Sequence, residues 1–149
     1  MAEAQHIIDD YFGAFPGVRK YLDSTLTLAR TDGFVTTASG RRRAIEGIHA
    51  TNRNERAGAE RMAQNMPIQG TAADIIKIAM VRLRDRLLAD GLPARLVLSV
   101  HDELVLETRE GTGSAVAAVL REVMENAWPL SVPLAVEVGR GHVWSELHG

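Results

Sequence analysis

The sequence contains no cysteine. That excludes a disulfide framework and any thiolate metal site. It has no apolar run long enough to cross a bilayer as a helix and no signal-peptide pattern at its start. The expected location is therefore the cytoplasm, with no membrane partner. Internal repeats, low-complexity stretches and obvious linkers are absent too, so nothing points to a solenoid or a disordered tail. Large net charge of either sign is also missing. The formal balance is −2, without the overall basic excess that marks many nucleic-acid binders. What remains is 149 residues, 46% apolar and 24% charged, enough for a real core.

The charge is unevenly spread. Residues 1–90 hold 13 Lys/Arg against 11 Asp/Glu, and residues 91–149 hold 4 against 8. Six arginines (Arg41, Arg42, Arg43, Arg53, Arg56, Arg61) fall within Gly40–Met62, against three glutamates. A basic segment followed by an acidic one suits a protein that holds a phosphate backbone and metal ions together. A solvated helix face accounts for arginines equally well.

Helical spacing of Ala4, Ile7, Ile8, Tyr11, Phe12 and Phe15 predicts a first helix with its stripe in the core. Pro16-Gly17 breaks it. Val18, Tyr21, Leu22, Thr25, Leu28 and Ala29 predict a second helix, ending near Gly33. Residues 34–39 and 43–48 read as a hairpin turned at Gly40. A helix over 54–66 is expected to kink or stop at Pro67, which lacks an N–H. Thr71-Ala-Ala-Asp74 reads as a capping box that opens another helix, to about Asp90, with Ile75, Ile76, Ala79, Leu83 and Leu87 on one face. Ser114–Trp128 predicts an amphipathic helix and Leu134–Val138 a last strand.

Two patterns carry chemistry. Leu98–Glu107 reads LSVHDELVLE. Short apolar runs flank His101, Asp102 and Glu103, predicting a buried hairpin with the charged residues at its tip. A carboxylate beside so much apolar surface needs compensation, and a bound Mg²⁺ supplies it. Taken alone, the same residues also read as a solvated turn. Arg61, Asn65 and Gln69, at i, i+4 and i+8, form a donor-rich helical stripe. Such a stripe suits the minor groove, where every base pair offers acceptors at similar positions. A polar outer helix face is the plainer explanation.

Glu60–Met80 (ERMAQNMPIQGTAADIIKIAM), the VHDELVLE turn, Val136–Trp144 (VEVGRGHVW) and Ala4–Asp23 (AQHIIDDYFGAFPGVRKYLD) together resemble the C-terminal part of family A DNA polymerases. Several separate motifs agree in order and spacing over nearly the whole chain. The resemblance implies an α+β fold, a partial polymerase palm with attached fingers helices. Residues 1–70 would hold the fingers and palm helices with a hairpin, and residues 71–149 the palm. It implies a DNA-directed DNA polymerase of DNA replication or repair. Such an enzyme uses primer-template DNA and deoxynucleoside triphosphates as partners and two Mg²⁺ ions as cofactors. Asp102 matches the palm carboxylate that binds metal, Glu103 its supporting neighbour, and His101 a residue near the primer terminus. Arg61, Asn65 and Gln69 match residues that contact template and primer.

The family's DYSQIE-like strand, with its second carboxylate, and its K-x₃-NFG-x₂-YG helix do not occur here. Both precede the region this sequence matches. The isolated chain is therefore expected to be inactive. It is also expected to expose a sheet edge and an apolar face, and to need an upstream polymerase fragment or self-association. The alternatives are a non-catalytic duplex-DNA-binding module or a relic of a truncated polymerase. Two departures stand out. Ala44-Ile-Glu-Gly47 follows Gly40–Arg43 where the family commonly has an apolar residue and a proline, and Val143 stands where an Asn is common. They put the downstream path of the hairpin and the packing of the last loop in question.

Overall fold

The computed structural model describes residues 2–147. It is α+β, with four α-helices and two separate two-stranded antiparallel sheets. Its contacts divide it into a unit ending at Thr71 and a unit beginning at Ala72. No helix among the described residues is long and apolar enough to cross a membrane.

In the first unit, α1 (Ala2–Ala14) leads through Phe15 to α2 (Pro16–Asp32). Pro16 sits at the first helical turn, where a missing N–H costs nothing. Gly33 closes α2 in the left-handed region (φ 76°), its N–H donating to the Ala29 carbonyl at 3.0 Å. Strands β1 (Phe34–Thr36) and β2 (Arg42–Ala44) pair in the register Phe34↔Ala44 around the turn at Gly40. The expected second strand thus stops at Ala44, short of Ile48. Beyond it the chain turns through Gly47, and Ile45 and Ile48 drop into the core. Ala29, Val35, Ala59, Ala63 and Met66 complete that core.

The α1 stripe is not part of it. Ile7 is 64% exposed, and Ile8, Tyr11 and Phe15 are exposed as well. Periodicity makes a helix amphipathic, but burial needs a facing element. Among the described residues the Tyr11 ring meets the rings of its neighbours Phe12 and Phe15, with centroids 5.4 and 5.1 Å away. Val18, Tyr21 and Leu28 of α2 are likewise exposed, while Thr25 and Ala29 are buried. These side chains form an exposed apolar face on the first unit.

Helix α3 runs unbroken over Arg53–Ala89. Asn52 starts it, its Oδ1 accepting from the backbone N–H groups of Asn54 (2.9 Å) and Glu55 (3.3 Å). The expected stop at Pro67 and fresh cap at Thr71 do not occur, because tertiary bonds hold this stretch helical. Thr71 Oγ1 donates to the Pro67 carbonyl and accepts from the Ala38 N–H at 2.9 Å. The Arg41 guanidinium donates to the Gly70 carbonyl at 3.1 Å. Gly70 permits this approach, since a Cβ there would sit 2.6 Å from the Thr37 methyl.

In the second unit, Gly91 (φ 61°) ends α3, and β3 (Ala94–Val100) pairs with β4 (Glu103–Thr108). A bulge lies at Val97. Helix α4 (Gly113–Glu125) ends three residues earlier than expected. There Asn126 bonds the Glu122 carbonyl, and Arg82 bonds the carbonyls of Asn126 and Ala127. Ala79, Leu83 and Leu87 of α3 meet Leu104 and the Val116, Val119, Leu120 and Val123 face of α4. The hairpin is less buried than its apolar runs suggested, with Val97 and Leu98 each 43% exposed. Residues 134–138, expected as a last strand, are not a strand in the structure. They keep the alternating burial of one, yet Val136 bonds to the side chains of Arg121 and Glu125 on α4 and not to a neighbouring strand. A strand needs a ladder partner as well as a pattern.

Candidate functional site

The acidic turn lies wholly in the second unit. Val100 pairs with Glu103, which leaves His101 and Asp102 as a two-residue hairpin loop. His101 has φ 52°, the one non-glycine at positive φ among the described residues. A loop with positive φ at its first position only is the II′ arrangement, where glycine is usual. Holding a histidine there costs of order 1–3 kcal/mol. His101→Gly is therefore expected to stabilise the chain by up to about 1 kcal/mol, after subtracting glycine's extra freedom when unfolded. A melting temperature that fell on this substitution would show that the histidine ring supports the turn.

His101 and Asp102 are exposed, and Glu103 is half-buried as the first residue of β4. The carboxylate of Asp102 is thus not buried, and burial is not what would call a cation to it. Asp102 sits in the turn itself, so strand alternation does not separate it from Glu103. Among the described residues no three His, Asp or Glu side chains converge. A turn with one or two hard oxygen donors still fits Mg²⁺, which commonly takes one or two carboxylates and fills its shell with water and phosphate oxygens.

The helical stripe lies in the first unit. Arg61, Asn65 and Gln69 are all exposed on α3, while Ala63, Met66 and Gly70 are buried on the opposite side. The helix continues through Pro67, so all three residues lie on one helix. Other arginines of the basic segment serve the fold. Arg41 and Arg56 bond backbone carbonyls, and Arg42 lies over the Phe34 ring at 4.8 Å.

A cavity of about 940 Å³ in the second unit went unnoticed in the sequence. It is bounded by β4, the start of α4 and residues 138–142. Arg140 at its rim donates to Ser114 Oγ. The one sequence signal for it was the alternation of Leu134–Val138, which has no partner strand.

The fold and the acidic turn define part of a polymerase domain. The structure superposes on the POL domain of Pol1 from M. smegmatis, solved in complex with DNA primer-template and dNTP. The TM-score is 0.94 at 45% identity, covering 98% of this chain and 26% of that one. Residues 1–146 match the model of DNA polymerase family A. DNA polymerase I of Deinococcus radiodurans is 51% identical over 143 residues, 96% of this chain and 15% of that protein. The thermostable DNA polymerase I of Thermus filiformis is 53% identical over 144 residues, 97% of this chain and 17% of its own length. The chain belongs to DNA polymerase family A, and it spans about one sixth of the length of these relatives.

Proposed function

We propose that this chain supplies the duplex-reading helix and the metal-binding turn of a DNA-directed DNA polymerase that adds deoxynucleotides to a primer 3′ end. The supporting observation is the match, at 45% identity, to a polymerase domain solved with primer-template and dNTP. Asp102 holds metal from the exposed turn, Glu103 supports it, and His101 places the primer terminus. Arg61, Asn65 and Gln69 donate hydrogen bonds to minor-groove acceptors, testing the shape of the duplex and not its sequence. Mg²⁺, when bound, activates the 3′-hydroxyl and stabilises the leaving pyrophosphate. One turn cannot clamp two cations about 3.5–4 Å apart, so the isolated chain does not polymerise.

The test is a graft of residues 1–146 into Deinococcus radiodurans DNA polymerase I in place of the region they match. Primer extension by the graft is expected, with none from the isolated chain. Arg61→Ala in the graft should weaken primer-template binding and lower its salt dependence. A folded graft without extension sinks the assignment. If the isolated chain nonetheless bound duplex DNA in an Arg61-dependent way, the non-catalytic binding module would take its place.

A further inference from the structure

Arg61 and Asn65 precede Pro67 on α3, and Gln69 follows it. A proline removes one helical hydrogen bond, and its ring presses on the carbonyl four residues back, here that of Ala63. The bend at this point sets where Gln69 lies relative to the other two donors. Two residues of rise and the radius of the helix put the Gln69 amide roughly 7 Å from Pro67. A change of about 20° in the bend would move that amide by about 2.5 Å, the scale of a proline kink. Hydrogen bonds do not tolerate a shift of that size.

The β1–β2 hairpin holds α3 on both sides of the proline. Before it, Val35 and Ile45 share a core with Ala59, Ala63 and Met66. After it, the hairpin turn grips the helix directly. The Arg41 guanidinium donates to the Gly70 carbonyl at 3.1 Å, and the Ala38 N–H donates to Thr71 Oγ1 at 2.9 Å. Thr71 Oγ1 itself donates to the Pro67 carbonyl. The turn is braced from within, since the Arg41 N–H donates to Oγ1 of the buried Thr37 at 3.1 Å. All of these contacts fall inside the first unit. They end on the two residues next to Gln69 and leave its side chain exposed.

We propose that Arg41 and Thr71 are positioning residues for duplex reading. Through them the hairpin turn splints α3 across Pro67 and so aims the Gln69 amide into the groove that Arg61 and Asn65 read from before the proline. The inference rests on the polymerase reading for the groove, and on the bonds above for the splint. The competing role for Arg41 is a direct contact with a DNA phosphate. Thr71 separates the two, because it carries no charge.

The splint is tested on the isolated chain. Arg41→Ala and Thr71→Val should each speed amide exchange at positions 69–71 by at least about threefold, while Ala59 and Ala63 keep their rates. Unchanged exchange in both variants overturns the splint. So does loss of protection at Ala59 and Ala63, which would make these contacts part of the general stability of the unit. The aiming is tested in the Deinococcus graft, on primer-templates with one purine at a time replaced by its 3-deaza analogue, which lacks the minor-groove N3 acceptor. Each contacted position should show extension slowed by at least about fivefold, because a donor is left unpaired. Gln69→Ala identifies its own position as the one whose penalty it erases, and Arg61→Ala does the same for Arg61. Arg41→Ala and Thr71→Val should both erase the Gln69 penalty and keep the Arg61 penalty, and Arg41→Lys should restore the former. A Gln69 penalty that survives both variants overturns the inference. An equal loss of affinity at every position from Arg41→Ala, with no effect of Thr71→Val, overturns it in favour of a phosphate contact. An active graft in which Gln69→Ala erases no penalty overturns it as well, since there is then no contact to aim. An inactive graft would instead remove the polymerase reading and the duplex role with it, and the exchange result on the isolated chain would still show the splint.

Discussion

Asp102→Ala in the Deinococcus graft is expected to lower primer extension by roughly three orders of magnitude, as befits loss of a group that anchors transition-state charge through a metal ion. Primer-template affinity should hold or rise, because removing a negative charge eases the approach of phosphates. The separation of these effects follows from where Asp102 lies. It is exposed, on a turn outside both strands, and its removal takes nothing from the core. Single-turnover extension under saturating DNA, paired with a binding titration, separates the two quantities. Extension within a few-fold of the parent graft would remove Asp102 from the metal site. Glu103→Ala should cost less, but that residue begins β4 and is half-buried. Its loss therefore mixes stability with chemistry, and the two need a parallel melting measurement.

The elements that the sequence announced correctly are those whose partners lie nearby in the chain. The Gly33 stop, the Gly40 turn and the Val116–Val119–Leu120–Val123 face each depend on local chemistry or on helices in the same unit. The acidic turn was legible for the same reason, since a two-residue loop between apolar runs fixes its own register. Three readings failed where the deciding contact was distant. Pro67 reads as a kink or a stop by its own chemistry, and the stop does not occur, with Ala38 and Arg41 binding the side chain and backbone just after it. The stripe of α1 is a core stripe by spacing, yet among the described residues it has no element to pack on. Residues 134–138 alternate like a strand with no ladder to join. The last two failures have one physical cause. Spacing fixes which face is apolar, but burial and pairing are fixed by what lies opposite that face.

Leu83→Ala is expected to destabilise the second unit by roughly 2–5 kcal/mol, the range for a buried leucine that leaves a cavity. Leu83 has no exposed surface and is the largest side chain so completely enclosed. It sits between Ala79 and Leu87 on α3 and belongs to the cluster that joins α4 to Leu104 of the hairpin. Small neighbours such as Ala79 and Ala127 cannot swell to fill the space, which favours the upper part of the range. The loss should appear as faster amide exchange through α4 and β4, with β1 and β2 unchanged, because the first unit has its own core. Two units make a single global unfolding energy a poor measure, and exchange resolved by residue avoids that problem. Leu88, five positions on and 74% exposed, provides the control. Leu88→Ala should change stability by no more than about 0.5 kcal/mol. Equal effects from the two substitutions would mean that the α3–α4 packing does not hold the second unit together. The turn that carries Asp102 would then owe its position to something other than this core. If instead Leu83→Ala loosens β4 while the first unit stays protected, the leucine layer is what aims the acidic turn, and its loss should impair extension by the graft without any change at the turn itself.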